Sequence, residues 1–105
     1  MKKWIAASLL LTMTPSANAT YREVEQVAKV CRMISEIGEG IMAMRQGGHT
    51  KEEIRSRGEP SAMIDQLVNA AFNIPDAGDP KQRGAVTNSF KRDVYISCLQ
   101  DAADQ

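Results

Sequence analysis

The sequence predicts an all-α fold, a small bundle of about four helices in which two long antiparallel helices are stapled by one disulfide. Three observations support this prediction. Apolar residues recur every three or four positions from Tyr21 to Gln46, which is the spacing of a helix with one buried face. Helix-start signals follow at Thr50 and Asp79. The chain has two cysteines, Cys31 and Cys98, and we find no strand-like alternation.

The amino terminus is typical of a secretory signal peptide. Lys2 and Lys3 form a basic start, an apolar run follows from Trp4 to Met13, and Ala17-x-Ala19 is a cleavage signal. The apolar run is too short to span a bilayer as a helix. We therefore expect a periplasmic or secreted protein with no stable membrane anchor after cleavage. The alternative is a retained amphipathic or buried amino-terminal helix.

Cleavage would divide the chain into a signal peptide, 1-19, and a single helical domain, 20-105. The domain would have 86 of the 105 residues. Because Lys2 and Lys3 leave with the signal peptide, 11 basic residues would face 13 acidic ones, a net charge of −2. The absence of a basic excess argues against binding to nucleic acid or to an anionic membrane surface.

The first helix of the domain, Tyr21 to Gln46, has an apolar arc wider than one neighbouring helix needs. One stripe is predicted to face the core and contains Val24, Val27, Ala28, Cys31, Ile34, Gly38, Ile41 and Met42. A second stripe beside it contains Val30, Met33, Ile37 and Met44. Either two or three helices surround this helix, or the second stripe is a candidate interface with a protein partner or a second copy, since methionine adapts to irregular surfaces.

Glycines and an arginine mark features of the same helix. Gly47 and Gly48 are expected to end it, because glycine adopts the left-handed cap conformation at no steric cost. Arg45 is expected to contact the last carbonyl groups of the helix and the negative end of its dipole. Gly38 and Gly40 within the helix predict close approach of another helix, with a kink as the alternative.

The two cysteines are predicted to pair. Export would place them in an oxidising compartment, and an even number of cysteines favours pairing. A bond between Cys31 and Cys98 closes a loop of 68 residues, for which chain entropy gives about 4 kcal/mol of stabilisation. The two cysteines can meet if the first and last helices run antiparallel, with the short helices at the far end. An intermolecular or redox-active pair is the alternative, although no C-x-x-C motif supports redox chemistry.

Three shorter signals predict the structure between the first helix and the last. Thr50 and Glu53 form a capping box for a short helix that carries Ile54 and ends by Gly58. Pro60 fits the first turn of a third helix. The apolar stripe of that helix contains Met63, Ile64, Leu67, Val68, Ala71 and Phe72.

The last helix begins after a loop that follows Pro75. Asp79 is the predicted N-cap and Pro80 the first helical residue, and the helix is expected to end near Ala102. Its core-facing residues are predicted to be Val86, Phe90, Val94, Tyr95, Cys98 and Leu99.

The residues indicate no enzyme. His49 is the single histidine and precedes the capping box, where it can contact Glu53 or Ile54. A metal role with Glu52 or Glu53 would need further ligands from elsewhere. The sequence contains no motif for a catalytic triad, because no serine is set beside an imidazole base and both thiols are predicted to be oxidised. We therefore expect no catalytic residue, no cofactor and no metal site.

One set of residues stands behind the signal peptide in a recognisable order: Cys31, Ile41-Met42-x-x-Arg45-Gln46-x-Gly48, Pro75, Phe90 and Val94-Tyr95-x-x-Cys98. In these residues the chain resembles a family of small exported proteins of proteobacteria and tailed phages, a family without assigned function. The resemblance implies a helical fold with one disulfide and no catalytic residue. Periplasmic acid-stress chaperones and phage-encoded periplasmic lysozyme inhibitors are similar in layout alone.

The expected function is therefore that of a periplasmic or secreted helical binding protein that acts by protein-protein contact, with an inhibitor-like action as one form of this function. The candidate interface is the second stripe of the first helix. The alternative is a periplasmic chaperone of the acid-stress type, which should expose apolar surface and suppress aggregation at low pH. An enzyme is the third hypothesis and would require a cleft with a perturbed titratable group.

Overall fold

The computed structural model describes residues 2–104, and it describes side chains for 23–104. It contains four helices, α1 (Lys2–Gln46), α2 (Lys51–Arg55), α3 (Ala62–Phe72) and α4 (Pro80–Ala103), and no strand within the described residues. The all-α prediction is confirmed. The predicted signal peptide, 1–19, lies outside the residues whose side chains are described.

Helix α1 begins at Lys2, earlier than the predicted Tyr21, since the intervening segment is rich in alanine and leucine, which favour helix. The chain divides within this helix into an amino-terminal unit, Met1–Val30, and a carboxy-terminal unit, Cys31–Gln105. The predicted core stripe is buried only in the second unit. Cys31 is 1% exposed, whereas Val24 is 58% exposed, so the prediction that Val24 faces a core is wrong.

Helices α1 and α4 run antiparallel in the carboxy-terminal unit. Cys31 and Cys98 form a disulfide with their Cα atoms 5.5 Å apart, and the ion pair between Glu39 and Lys91 has an N–O distance of 3.3 Å. Between these links the helices approach at Gly38, where an added Cβ would lie 3.2 Å from Cγ2 of Val94. The predicted staple and the predicted antiparallel arrangement are confirmed.

The two helical glycines of α1 differ. Gly38 is buried against α4, as its predicted role requires. An added Cβ at Gly40 would have no neighbour within 4 Å, so the prediction of close helix approach is wrong there. The spacing of two residues places these glycines about 200° apart around the helix, and only one of them can face α4.

The end of α1 is a Schellman motif. The His49 N–H donates to the Met44 carbonyl at 3.1 Å, and the Gly48 N–H donates to the Arg45 carbonyl at 3.1 Å. Gly48 has φ +93°, the left-handed conformation that this motif needs. The predicted glycine stop is confirmed.

Two side chains at this end of α1 bind the segment after α3. Gln46, 2% exposed, donates through Nε2 to the Pro75 carbonyl at 3.2 Å and accepts the Ala77 N–H at 2.9 Å. Arg45 donates to the Ile74 carbonyl at 3.3 Å, and its guanidinium carbon lies 4.7 Å from the centre of the Phe72 ring. Arg45 thus contacts the end of α3 and not the final carbonyls of its own helix, because the Schellman motif already occupies those.

The short helices begin with side-chain caps. Thr50 and Glu53 form the predicted capping box of α2. Ser61 caps α3 by accepting the Ile64 N–H at 3.0 Å, so Pro60 precedes the cap and does not occupy the first helical turn as predicted. The hydroxyl of Ser61 supplies an acceptor that a proline ring lacks.

The core of the carboxy-terminal unit joins all four helices. Its buried members are Ile41, Met42, Ile54, Leu67, Val68, Ala71 and Phe90. Half-buried apolar residues pack around it, among them Ile34, Val86 and Val94. The segment after α3 is bound to the end of α1 through Gln46. The space between α3 and α4 is open.

Candidate functional site

An open groove of about 500 Å³ lies between α3 and α4, and Ile34 of α1 contributes to it. Its base contains Leu67, Phe90 and Val94, which also belong to the core or pack against it. Grooves of this volume with a largely apolar lining are the usual places where proteins bind other molecules. We name this feature the α3–α4 groove.

Helix periodicity explains which residues form the two walls of the groove. Met63, Leu67 and Ala70 follow one another at four- and three-residue spacing and so face one side of α3. Met63 is 36% exposed and Ala70 is exposed, so part of this wall is open to solvent. The α4 wall contains Cys98, and the disulfide therefore fixes α1 to the helix that forms this wall.

Within the part of the chain whose side chains are described, the two charged residues that line the groove are acidic. Asp93 and Asp101 lie on α4, eight residues and about 12 Å apart along the helix axis. Asp101 is seven residues beyond Val94 and three beyond Cys98, which places its carboxylate on the apolar stripe of the helix. The last turn of α4 contains no basic residue, so its negative dipole end adds to the negative potential there.

The four residues of the candidate interface occupy different surroundings. Val30 is 50% exposed and belongs to the amino-terminal unit. Met33 is 63% exposed and Ile37 is 39% exposed, on α1 in the carboxy-terminal unit. Met44 is half-buried and packs against the core. The second stripe is thus partly solvent-exposed and partly used for packing.

Two of these residues line a second groove. Ile37 and Met44 line a space of about 240 Å³ together with Ile54 and Ile64, between α1 and the α2–α3 region. Met33 lines neither of the two grooves. The two grooves lie on different sides of the first turn of α3. Met63 lines the larger α3–α4 groove, and the adjacent Ile64 lines the smaller groove.

His49 and two carboxylates have local structural roles. Nδ1 of His49 lies 3.3 Å from Oε2 of Glu53, the predicted contact. Hydrogen bonds from the Thr50 backbone and from His49 lower the pKa of Glu53. Hydrogen bonds from Arg83 and from the Gly78 N–H likewise lower the pKa of Asp76. These contacts stabilise the capping box and the loop before α4.

The described part of the chain contains no group of three or more histidine, cysteine, aspartate or glutamate residues placed to hold a metal ion. None of its helices is both long enough and apolar enough to cross a bilayer. The disulfide indicates an oxidising, exported location, since such bonds persist outside the reducing cytosol.

The α3–α4 groove was not predicted, because Ile34, Met63 and Val94 lie on core-facing stripes and a stripe does not show how tightly its residues pack. One signal in the sequence points to the groove. Asp101 continues the stripe of Val94 and Cys98, and a carboxylate at a core position predicts either a buried partner or an opening to solvent.

Comparison with known proteins adds no relative: no family model matches the chain, and neither a curated protein nor a solved structure matches it significantly. The suspected relation to small exported proteins of proteobacteria and phages stays a prediction. Functional inference consequently rests on the site itself.

Proposed function

We propose that this chain is an exported, non-enzymatic binding protein that contacts a partner protein through the α3–α4 groove. The observation that supports the proposal is the groove itself, about 500 Å³ in volume, open along one side and lined largely by apolar side chains of three helices. An open apolar groove between helices suits a helical or short extended segment of another protein. Its apolar base would supply the binding free energy.

The proposal includes export by the signal peptide. Cleavage after Ala19 would release the protein to the periplasm or the medium, where the Cys31–Cys98 bond forms. Intact mass of the protein recovered from the periplasm tests this step. A mass that still includes 1–19 would contradict it.

Site-specific photocrosslinking in the producing cells tests the groove. A photoreactive phenylalanine derivative replaces Gln66, which lines the groove, and in a control it replaces Gln82, which is exposed in the first turn of α4. We expect a discrete adduct from position 66 and none from position 82. Equal adducts from both positions, or none from either, would contradict the proposal.

A matched pair of variants decides whether the adduct depends on the groove. Met63→Gln with Ala70→Gln fills the groove with polar side chains, and both positions are exposed, so the fold should persist. The control is Met33→Gln with Ala85→Gln, one exposed methionine and one exposed alanine outside the groove. Only the first pair should abolish the adduct. Loss in the control pair alone would contradict the groove as the site.

The chaperone alternative gives a different result in the same experiment. A chaperone of the acid-stress type should yield many adducts at low pH and should suppress aggregation of an unrelated client protein. The proposed single-partner function predicts a discrete adduct near neutral pH. A heterogeneous adduct pattern restricted to low pH would replace our proposal by the chaperone.

A further inference from the structure

We infer that the occupant of the α3–α4 groove is a basic amphipathic helix, a segment with lysine or arginine at both ends of a short apolar face. This inference rests on the proposed function and names the chemistry of the partner. It is carried by the combination of an apolar base with Asp93 and Asp101 as the charged residues of the lining.

Among residues 23–104, the charges that face the groove come from one helix. The α3 wall presents neutral side chains, and α1 contributes Ile34. Arg92 is next to Asp93 in the chain, but it lies about 100° around α4 and does not line the groove. Among the described residues that line the groove, Asp93 and Asp101 are the charged ones, and no lysine or arginine stands beside them in that lining.

The position of Asp101 is unfavourable for the isolated helix. A carboxylate in the last turn meets the negative end of the helix dipole, and α4 has no basic residue there to offset it. Asp101 also lies on the apolar stripe, where it is exposed to solvent. A cationic partner would offset the dipole interaction and would cover the apolar residues beside the carboxylate.

The spacing of the carboxylates defines the partner segment. Asp93 and Asp101 are separated by about 12 Å along the axis of α4 and by about 80° around it. The axial separation is close to the rise of about 10.5 Å between residues i and i+7 of a partner helix. A helix with lysines at i and i+7 and leucines at i+3 and i+4 places all four side chains on one face. Such a helix can lay its leucines against Phe90 and Val94 while each lysine reaches a carboxylate.

Fluorescence anisotropy with three labelled peptides tests the inference on the exported protein. Each peptide has about 16 residues, long enough to form helix. The first carries the lysine–leucine face, the second replaces both lysines by glutamate, and the third rearranges the first so that no helical face forms. We expect the lysine peptide to bind about tenfold more tightly than the glutamate peptide at low salt, with the difference reduced in 0.5 M NaCl.

Charge variants test whether Asp93 and Asp101 cause the preference for the lysine peptide. Asp93→Asn with Asp101→Asn should remove most of the difference between the lysine and glutamate peptides. Asp104→Asn is the matched control, since it removes a charge at the same end of α4 from a residue outside the groove lining. Equal binding of the two peptides, no binding of either, or an equal effect of the control would overturn the inference.

The two proposals fail separately. If the basic peptide shows no preference while the photocrosslinked adduct still depends on Met63 and Ala70, the groove binds a partner of different charge. If the adduct does not depend on these residues, the proposed function itself is wrong.

Discussion

The two ends of the antiparallel α1–α4 pair are held by different means. Where α1 ends, buried Gln46 binds the backbone at Pro75 and Ala77, and the segment after α3 closes over the core. Where α4 ends, the link is the Cys31–Cys98 bond, and the neighbouring space between α3 and α4 stays open. We call these the hydrogen-bonded end and the disulfide end. A covalent link adds stability that a small core alone does not supply, and the unit retains an open apolar groove beside that link.

The disulfide end should show the largest loss of stability. Replacing Cys31 and Cys98 together by serine removes the constraint on the unfolded chain and is expected to cost up to about 4 kcal/mol of unfolding free energy. Urea denaturation of both proteins measures the difference. Reductant should destabilise the wild type by a similar amount and leave the double variant unchanged; a variant as stable as the wild type would contradict the role of the bond.

Two methionines of α1 allow a core position to be compared with a surface position. Met42 is fully buried, so Met42→Ala should cost about 2–5 kcal/mol through lost burial and a residual cavity. Met33→Ala, at a residue 63% exposed, should change the free energy of unfolding by less than about 0.5 kcal/mol. Thermal or urea unfolding checks both. Similar losses from the two variants would show that Met33 is covered in solution.

The hydrogen-bonded end should respond to Gln46→Ala. The change leaves the Ala77 N–H and the Pro75 carbonyl without their amide partner, and we expect a loss of about 1–3 kcal/mol. Gln100→Ala is the control, because Gln100 is exposed on α4. Amide hydrogen exchange of Ala77 should accelerate in the first variant alone. Unchanged exchange at Ala77 would show that Gln46 does not fix this segment.

The smallest effect concerns pH and the capping box of α2. Because folding lowers the pKa of Glu53 below its ordinary value of 4.5, the ionised carboxylate stabilises the fold above that pH. The stabilisation is lost as the pH falls through the lowered value. Glu53→Gln should therefore be less stable than the wild type at pH 7, and the gap should narrow at acid pH. Urea denaturation at both pH values measures the gap, with Glu36→Gln on the exposed face of α1 as the control. A gap that widens on acidification would contradict the assignment.

Local signals in the sequence predicted most of the fold. The Thr50 capping box, the Asp79 N-cap and the stop at Gly48 depend on interactions within a few residues, and the structure confirms all three. The disulfide then determined the direction of α4 relative to α1. Interactions between distant residues were not predicted. Gln46 reads as an ordinary polar residue of a helix end, and its binding to the segment after α3 depends on a contact about 30 residues away in the chain.

The groove was unpredictable for the same reason. A periodic apolar stripe shows which side of a helix avoids water, but it does not show how far apart two such stripes lie. Leu67 and Phe90 are core residues as predicted, and they also form the base of an open groove. The predicted interface residues Met33 and Ile37 are exposed, yet they face away from this larger space.

The four methionines with described side chains offer the most direct test of the account. Met42 lies in the core, Met63 in the α3–α4 groove, Met44 in the smaller groove and Met33 on exposed α1. In protein labelled with ¹³C at the methionine methyl groups, a soluble paramagnetic agent should broaden Met33 and Met63 and spare Met42. Addition of the basic amphipathic peptide should then protect Met63 and leave Met33 and Met44 as they were. Protection that arises at Met33 or Met44, with Met63 still broadened, would contradict the account and place the binding surface on α1.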